Sequence, residues 1–240
     1  MRSLLSKFFL SFAVSLLISC ASAPAPVQQP APVPDEVMQV RFVHAVPDGP
    51  PMDFWAAGSR VESGVDYKEW TDWVVLPAGE REVALRNGEL MMIGDVFSFE
   101  ADKRYWVIAY GAVSPVDAEV PLSFLVYEDQ DMPEIEQNSW IRFSNVVPEG
   151  DALGLVITTG EHWNLLFPNL GVGTMSEYKR GLLYDNSFEV ISARNTSLPA
   201  LHRFEYNLQR GILYTFIATG RESNGTLEVF AVTDHPSLRH

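Results

Sequence analysis

Val40-Arg41-Phe42-Val43-His44-Ala45-Val46-Pro47-Asp48-Gly49 returns later in the chain as Ile141-Arg142-Phe143-Ser144-Asn145-Val146-Val147-Pro148-Glu149-Gly150. A phrase repeated in this way marks the start of two copies of one unit, and the rest of the chain lays on itself in the same register. Glu82 and Val83 answer to Glu189 and Val190. Tyr105, Ile108, Ala109 and Gly111 answer to Tyr214, Ile217, Ala218 and Gly220, and Leu122, Phe124 and Asp129 to Leu227, Val229 and Asp234. Each copy is the size of one ordinary domain. The expected layout is module 1 over 38–130, an acidic linker over 131–138, and module 2 over 139–236.

Within each copy, short apolar or alternating runs are separated by turn residues, as strands are, and helical periodicity is nearly absent. Val40 to Ala45, Met52 to Ala56, Arg81 to Leu85, Arg104 to Tyr110 and Leu122 to Tyr127 read as strands of the first copy. Leu76-Pro77-Ala78-Gly79 reads as a turn in which the glycine can take positive φ, and Asn186 is its expected counterpart in the second copy. Tyr105 to Tyr110 is apolar on both faces, which places it as a central strand covered by a second sheet. The fold class expected is all-β, as two tandem antiparallel β-sandwich domains.

Ahead of the modules, Arg2 and Lys7 form a cationic region and Phe8 to Ile18 an apolar one. Together they have the anatomy of a signal peptide over 1–19. The apolar stretch is about half the ~20 residues needed to span a bilayer. Leu17-Ile18-Ser19-Cys20 resembles the lipobox of bacterial lipoproteins, which implies cleavage between Ser19 and Cys20 and acylation of Cys20, the only cysteine. More than one acyl chain gives stable anchoring where a single chain does not. Ala21, in place of an Asp, implies the outer membrane, facing periplasm or surface. Residues 20–37 then form a Pro-rich tether, with Pro24, Pro26, Pro30, Pro32 and Pro34. Its Ala21 to Pro34 stretch would reach on the order of 40 Å in a polyproline conformation.

Loss of Arg2 and Lys7 with the signal takes the formal charge from −14 to −16. Without a basic stripe, nucleic acid is not an expected partner, and an anionic membrane surface would repel the protein were it not for the lipid. No disulfide can form within one chain. Stability must come from burial, which 47% hydrophobic and 12% aromatic residues permit.

Several groupings carry potential chemistry. His44, Asp48 and Asp53 offer an imidazole and two carboxylates for a metal or for acid-base work. The alternative is that Asp48 accepts backbone N–H groups in its own Pro-rich turn while His44 ends a strand. Glu128, Asp129, Asp131, Glu134 and Glu136 could hold Ca²⁺ or form a solvated acidic linker. Tyr67, Trp70 and Trp73 could form a platform for sugar rings or pack in a core, with Trp70 and Trp73 on one face of a short helical turn. Ser176-Glu177-Tyr178-Lys179 fits a Ser-x-x-Lys pattern, and Tyr184-Asp185-Asn186 faintly resembles the second motif of penicillin-recognising enzymes, but the third motif and a helix for the serine are missing. His162, His202, His235 and His240 are scattered.

His44-Ala45-Val46-Pro47-Asp48-Gly49-Pro50, then Met52-Asp53-Phe54-Trp55 and Leu76-Pro77-Ala78-Gly79, resemble a family known only as a domain of unknown function (4397). Its members are secreted, often tandem, immunoglobulin-like bacterial modules bearing a phrase near His-Ala-Ser-Pro-Asp-Ala-Pro, followed by Val-Asp and later Leu-Pro-Ala-Gly. The second copy departs from it at Asn145, Glu149 and Gly154. The resemblance implies immunoglobulin-like sandwiches and an extracytoplasmic compartment. The expected role is a non-catalytic interaction or structural lipoprotein of the cell envelope without a cofactor, with a protein partner or, in the alternative, a glycan bound through Tyr67, Trp70 and Trp73.

Overall fold

A computed structural model describes residues 36–114, 121–129, 133, 137–159, 162–196 and 199–234. The signal peptide, Ser19, Cys20, the tether up to residue 35, Asp131, Glu134, Glu136, His235 and His240 lie outside the described residues. Every regular element among the described residues is a strand, so the chain is all-β. The first module comprises β1 (Val37–Ala45), β2 (Met52–Ala56), β3 (Ser59–Val65), β4 (Val74–Pro77), β5 (Gly79–Asn87), β6 (Leu90–Phe99), β7 (Arg104–Tyr110) and β8 (Ser123–Glu128). The second comprises β9 (Ser139–Asn145), β10 (Leu153–Thr159), β11 (His162–Leu170), β12 (Thr174–Met175), β13 (Lys179–Gly181), β14 (Tyr184–Ser192), β15 (His202–Leu208), β16 (Leu213–Thr219) and β17 (Glu228–Asp234).

In each module two sheets form a sandwich. An inner sheet runs β4-β1-β7-β8 and an outer sheet β3-β2-β5-β6; the second module repeats the order as β12-β9-β16-β17, with β13 also on β9, and β11-β10-β14-β15. Pairings between these strands are antiparallel except β1 with β7 and β9 with β16, which are parallel. Parallel neighbours need a long crossover, and here it is the passage through the outer sheet and back.

The ladders give the repeat its register. Val40 lies beside Tyr105 as Ile141 lies beside Tyr214, and Tyr105 faces Glu128 as Tyr214 faces Thr233, in agreement with the expected alignment. In β5 the alignment needs correction. Leu85 lies opposite Phe54 and Val190 opposite Leu155, so the counterpart of Val190 is Leu85 and not Val83. A slip of two residues leaves the in-out alternation unchanged, so hydrophobic pattern cannot detect it. The counterpart of Gly79 (φ 98°) is therefore Tyr184 (φ 77°) and not Asn186. Asn186 instead braces that strained tyrosine, its amide donating to the carbonyls of Tyr184 and Leu182.

Three apolar cores result. One fills each sandwich, around Phe42, Phe54, Leu85 and Val107 in the first and Phe143, Leu155, Phe188 and Phe216 in the second. The third lies between the inner sheets and draws on both modules: Val43, Ala45, Trp106, Ile108 and Leu125 meet Val146, Met175, Ile217 and Val232. This explains why β7 is apolar throughout. Alternate residues point to opposite faces, so Tyr105, Val107 and Ala109 enter their own sandwich while Trp106 and Ile108 enter the seam. The modules are thus joined by a packed interface as well as by the connecting chain.

Candidate functional site

His44 is fully buried. Its Nδ1 accepts the Val46 N–H at 3.2 Å and its Nε2 donates to the Pro50 carbonyl at 3.1 Å, which defines a neutral tautomer. Burial pushes the imidazole below its ordinary pKa despite the raising influence of Pro50 and Asp66. Asn145 does the same work in the second module: Oδ1 accepts the Val147 N–H at 3.1 Å and Nδ2 donates to Leu170 at 2.9 Å. An amide replaces an imidazole there because the site asks for one acceptor and one donor. Both side chains pin the loop that follows the first strand of their module.

Asp48 accepts backbone N–H groups, as one reading held, but from the β7–β8 connection and not from its own turn: Val113 and Ser114 donate to it at 2.9–3.2 Å. Asp53 accepts from Gly64 at 2.9 Å and faces Arg60. The structure therefore engages His44, Asp48 and Asp53 in three separate local networks, and no group of three metal-type ligands converges among the described residues. Asp48 also borders a cleft of about 260 Å³ between the loop ends of the two modules, lined further by Pro47, Gly111, Gly220, Arg221 and Thr226.

Ser176 proves to be a strand-pairing residue. Its Oγ accepts the Phe143 N–H and donates to the Glu177 carbonyl, while its own N–H meets Phe143 O. Thr71 repeats each of these bonds with Phe42 and Asp72. Lys179, the other end of the Ser-x-x-Lys pattern, donates to the Leu166 carbonyl.

Tyr67, Trp70 and Trp73 are not on a helical turn; Trp70 forms an isolated bridge to Val43 and Trp73 precedes β4 in extended chain. Competition from pairing with β1 overrides the three-residue spacing. Trp73 meets Trp106 edge-on and lies under the guanidinium groups of Arg41 and Arg104. Tyr67 donates its hydroxyl to Glu228 across the seam at 2.7 Å. Trp70 is 36% exposed. The three rings thus have separate engagements and do not present one flat array.

The densest polar arrangement is one the sequence reading left out. Arg142 and Asp129 form an ion pair at 2.6 Å with side chains 1% and 2% exposed, and Arg41 pairs with Asp234 at 3.1 Å. Arg41 and Arg142 are repeat counterparts, as are Asp129 and Asp234, so the modules exchange equivalent bonds across the seam. Asp129 is consequently no solvated linker residue: the arginine opposite takes it inside. Between them lies Trp106, with Arg41 and Arg142 at 5.2 and 4.6 Å from its ring. The Trp106 counterpart is Thr215, whose hydroxyl accepts Arg142 Nε at 2.9 Å. Tyr178, the counterpart of Trp73, stacks on Arg142, and burial pushes its hydroxyl up to about 12.

At the other end of the seam Glu228 accepts from Tyr67 and Lys68, and Thr219 donates to the Ala45 carbonyl. Burial raises the Glu228 carboxyl, but the bonds from Lys68 and Tyr67 outweigh it and leave its pKa low. Burial and then Glu228 raise Tyr67 far above its usual range. One signal for the seam was available in sequence: Arg41 and Arg142, charged residues repeated inside otherwise apolar strands.

Residues 38–156 match the family model described as "Domain of unknown function (DUF4397)", a stretch that covers the first module and runs through β9 into the middle of β10. Over that segment the chain is similar to this family. No curated protein matches the chain. Among solved structures it is similar to CBMbc, a family 26 carbohydrate-binding module of Eubacterium rectale Amy13K crystallised with maltoheptaose. The identity is 9%, with 81% of this chain and 96% of that chain covered, at a TM-score of 0.25. So distant a likeness carries no argument about ligand.

Proposed function

We propose that this protein is a lipid-anchored, non-catalytic interaction module of the bacterial cell envelope, held through Cys20 in the outer membrane. The observation that carries the reading is the employment of the polar residues of the repeated phrase and of the segments that pair with it. His44, Asn145, Asp48 and Ser176 hold loops and strand pairs, and Arg41 and Arg142 lock one module to the other. Their conjunction serves a fixed geometry. A pair of sandwiches joined by a packed seam is a rigid body whose loops and outer sheets keep constant positions, as a docking scaffold requires.

Tyr67, Trp70 and Trp73 support this better than they support glycan binding, because Tyr67 and Trp73 are tied into the seam. Fractionation of cells carrying Cys20→Ser tests the anchor. The variant is expected in the soluble fraction with an unchanged melting temperature; retention in the membrane, or unfolding, would refute the anchoring. Photo-crosslinking in intact cells tests the docking role, and recovery of bulk envelope proteins without enrichment would count against it.

A further inference from the structure

One end of the second module carries a surface that its repeat counterpart lacks. In register, Lys179-Arg180-Gly181-Leu182-Leu183-Tyr184 stands where the first module has Val74-Val75-Leu76-Pro77-Ala78-Gly79. Lys179 pairs with Ile141 as Val74 pairs with Val40, and Gly181 with Ser139 as Leu76 with Met38. The first module closes this turn with a glycine at φ 98°, and the second holds a tyrosine there at φ 77°. A positive φ strains a residue that has a Cβ, and the ring gains little packing in return, since it is 72% exposed. Strain kept without an internal contact is a mark of function.

Other exposed side chains gather at the same end. Leu182, on the turn itself, is 49% exposed, and Trp163, 51% exposed, lies beside the β10–β11 turn, where Thr158 pairs with both Trp163 and Ser187. Three basic residues accompany them. Arg180 is exposed on β13, Lys179 donates to the Leu166 carbonyl, and Arg210, two residues past the Leu208 that pairs with Tyr184, donates to Gln137. Against them stands the acid Asp185, which accepts from Asn207. On a chain of net charge −14 this end is locally basic and apolar.

The tether enters at the same end. The Glu36 carbonyl, just ahead of β1, accepts the N–H of Ala78, the counterpart of Leu183. The seam sets both modules in one sense, with Arg41 against Asp234 towards this end and Ala45 against Thr219 at the other.

We propose that the turn from Lys179 to Tyr184 is a membrane-contact surface. Leu182 and Tyr184 enter the headgroup region of the bilayer that holds Cys20, with Trp163 at the rim and Arg180 and Arg210 on lipid phosphates. The proposal rests on the anchored reading given above and adds an orientation to it. Tyrosine and tryptophan favour the headgroup level, where an apolar ring and a polar tip are both satisfied, and basic residues beside exposed apolar ones make up interfacial segments. A tether reaching about 40 Å lets this end come down onto the surface, and the lipid supplies the local concentration that so small a contact needs. The acidic remainder is repelled by anionic lipid, so the cleft bordered by Asp48 at the other end faces away from the membrane.

The test uses the lipidated full chain in phosphatidylcholine vesicles that contain a lipid with a spin-labelled headgroup. Leu182→Cys and Ser223→Cys each provide a thiol for a fluorophore, the first on the turn and the second between β16 and β17 at the opposite end of the same module. Quenching at position 182 is expected to be about threefold or more that at position 223, because a residue among the headgroups lies within reach of the spin label. Adding Arg180→Glu and Tyr184→Gly should bring it down to the level of position 223 without lowering the melting temperature, since glycine relieves the strained φ.

Equal quenching at the two positions, or quenching at 182 that survives R180E/Y184G, would overturn the proposal. So would a photo-crosslinker at position 182 that captures a protein in intact cells in place of lipid. Failure of the anchor reads out separately, because the chain without an added cysteine would then take the fluorophore at Cys20.

Discussion

Removal of Arg142 should be the most damaging single truncation in the seam. In Arg142→Ala the carboxylate of Asp129, 2% exposed, would stay behind without its guanidinium. The Thr215 hydroxyl loses a donor, and the rings of Trp106, Tyr178 and Tyr127 lose the cation stacked on them. Breaking a buried pair from one side costs about 3–5 kcal/mol. The assay is urea denaturation followed by tryptophan fluorescence and by far-ultraviolet circular dichroism. If the seam makes the modules one cooperative unit, both probes trace a single transition, and R142A lowers its midpoint or splits it in two.

Asp129→Leu combined with Arg142→Met should recover most of the loss, because paired apolar replacements leave no stranded charge. Arg41→Ala should cost less, since its pair with Asp234 is longer and more exposed, with side chains 5% and 10% accessible. A loss below about 1 kcal/mol in R142A, or a double variant as damaged as the sum of its parts, would refute the claim that the pair is buried and coupled.

His44→Asn should cost under about 1 kcal/mol and His44→Ala about 1–3 kcal/mol, since alanine leaves the Val46 N–H and Pro50 carbonyl unsatisfied and asparagine does not; thermal melts decide. Burial holds the His44 pKa below 6.5, so the unfolded chain binds its proton first as pH falls. Its contribution is therefore intact above about pH 6.5, diminishes below it, and levels off beneath the folded pKa. H44N should flatten that part of the stability profile, and an unchanged profile would remove His44 as its source. Tyr184→Gly should gain about 0.5–1 kcal/mol by relieving a positive φ, with little lost from a ring 72% exposed; a lower melting temperature would contradict this. Gly111→Ala and Gly220→Ala should each be severely destabilising, because a Cβ there would strike the carbonyls of Pro121 and Thr226.

Much of the fold was legible because period-two patterning and turn residues act locally. Met52–Ala56 and Arg104–Tyr110 were read with the boundaries they have, and β1 to within its first residues. β3 and β6 escaped because polar residues dominate one, and in the other an apolar run from Leu90 to Ile93 is broken by Gly94 and Asp95, so neither shows a clear alternation. The β5 register was misread by two residues because such a slip preserves which face is apolar. The polar candidates were legible as residues and not as contacts: Asp48 finds its donors in a loop far along the chain, and the rings of Tyr67 and Trp73 are claimed by the other module and by Arg41.

The sequence by itself determined that the chain is a tandem all-β repeat, since repetition and alternation are properties of residue order. Only the tertiary structure decided that Arg41, Trp106, Asp129, Arg142 and Asp234 belong together. An arginine in an apolar strand is ambiguous until the opposite surface is known. Its desolvation is offset only by a carboxylate from another module, and which carboxylate meets it depends on how two sheets pack.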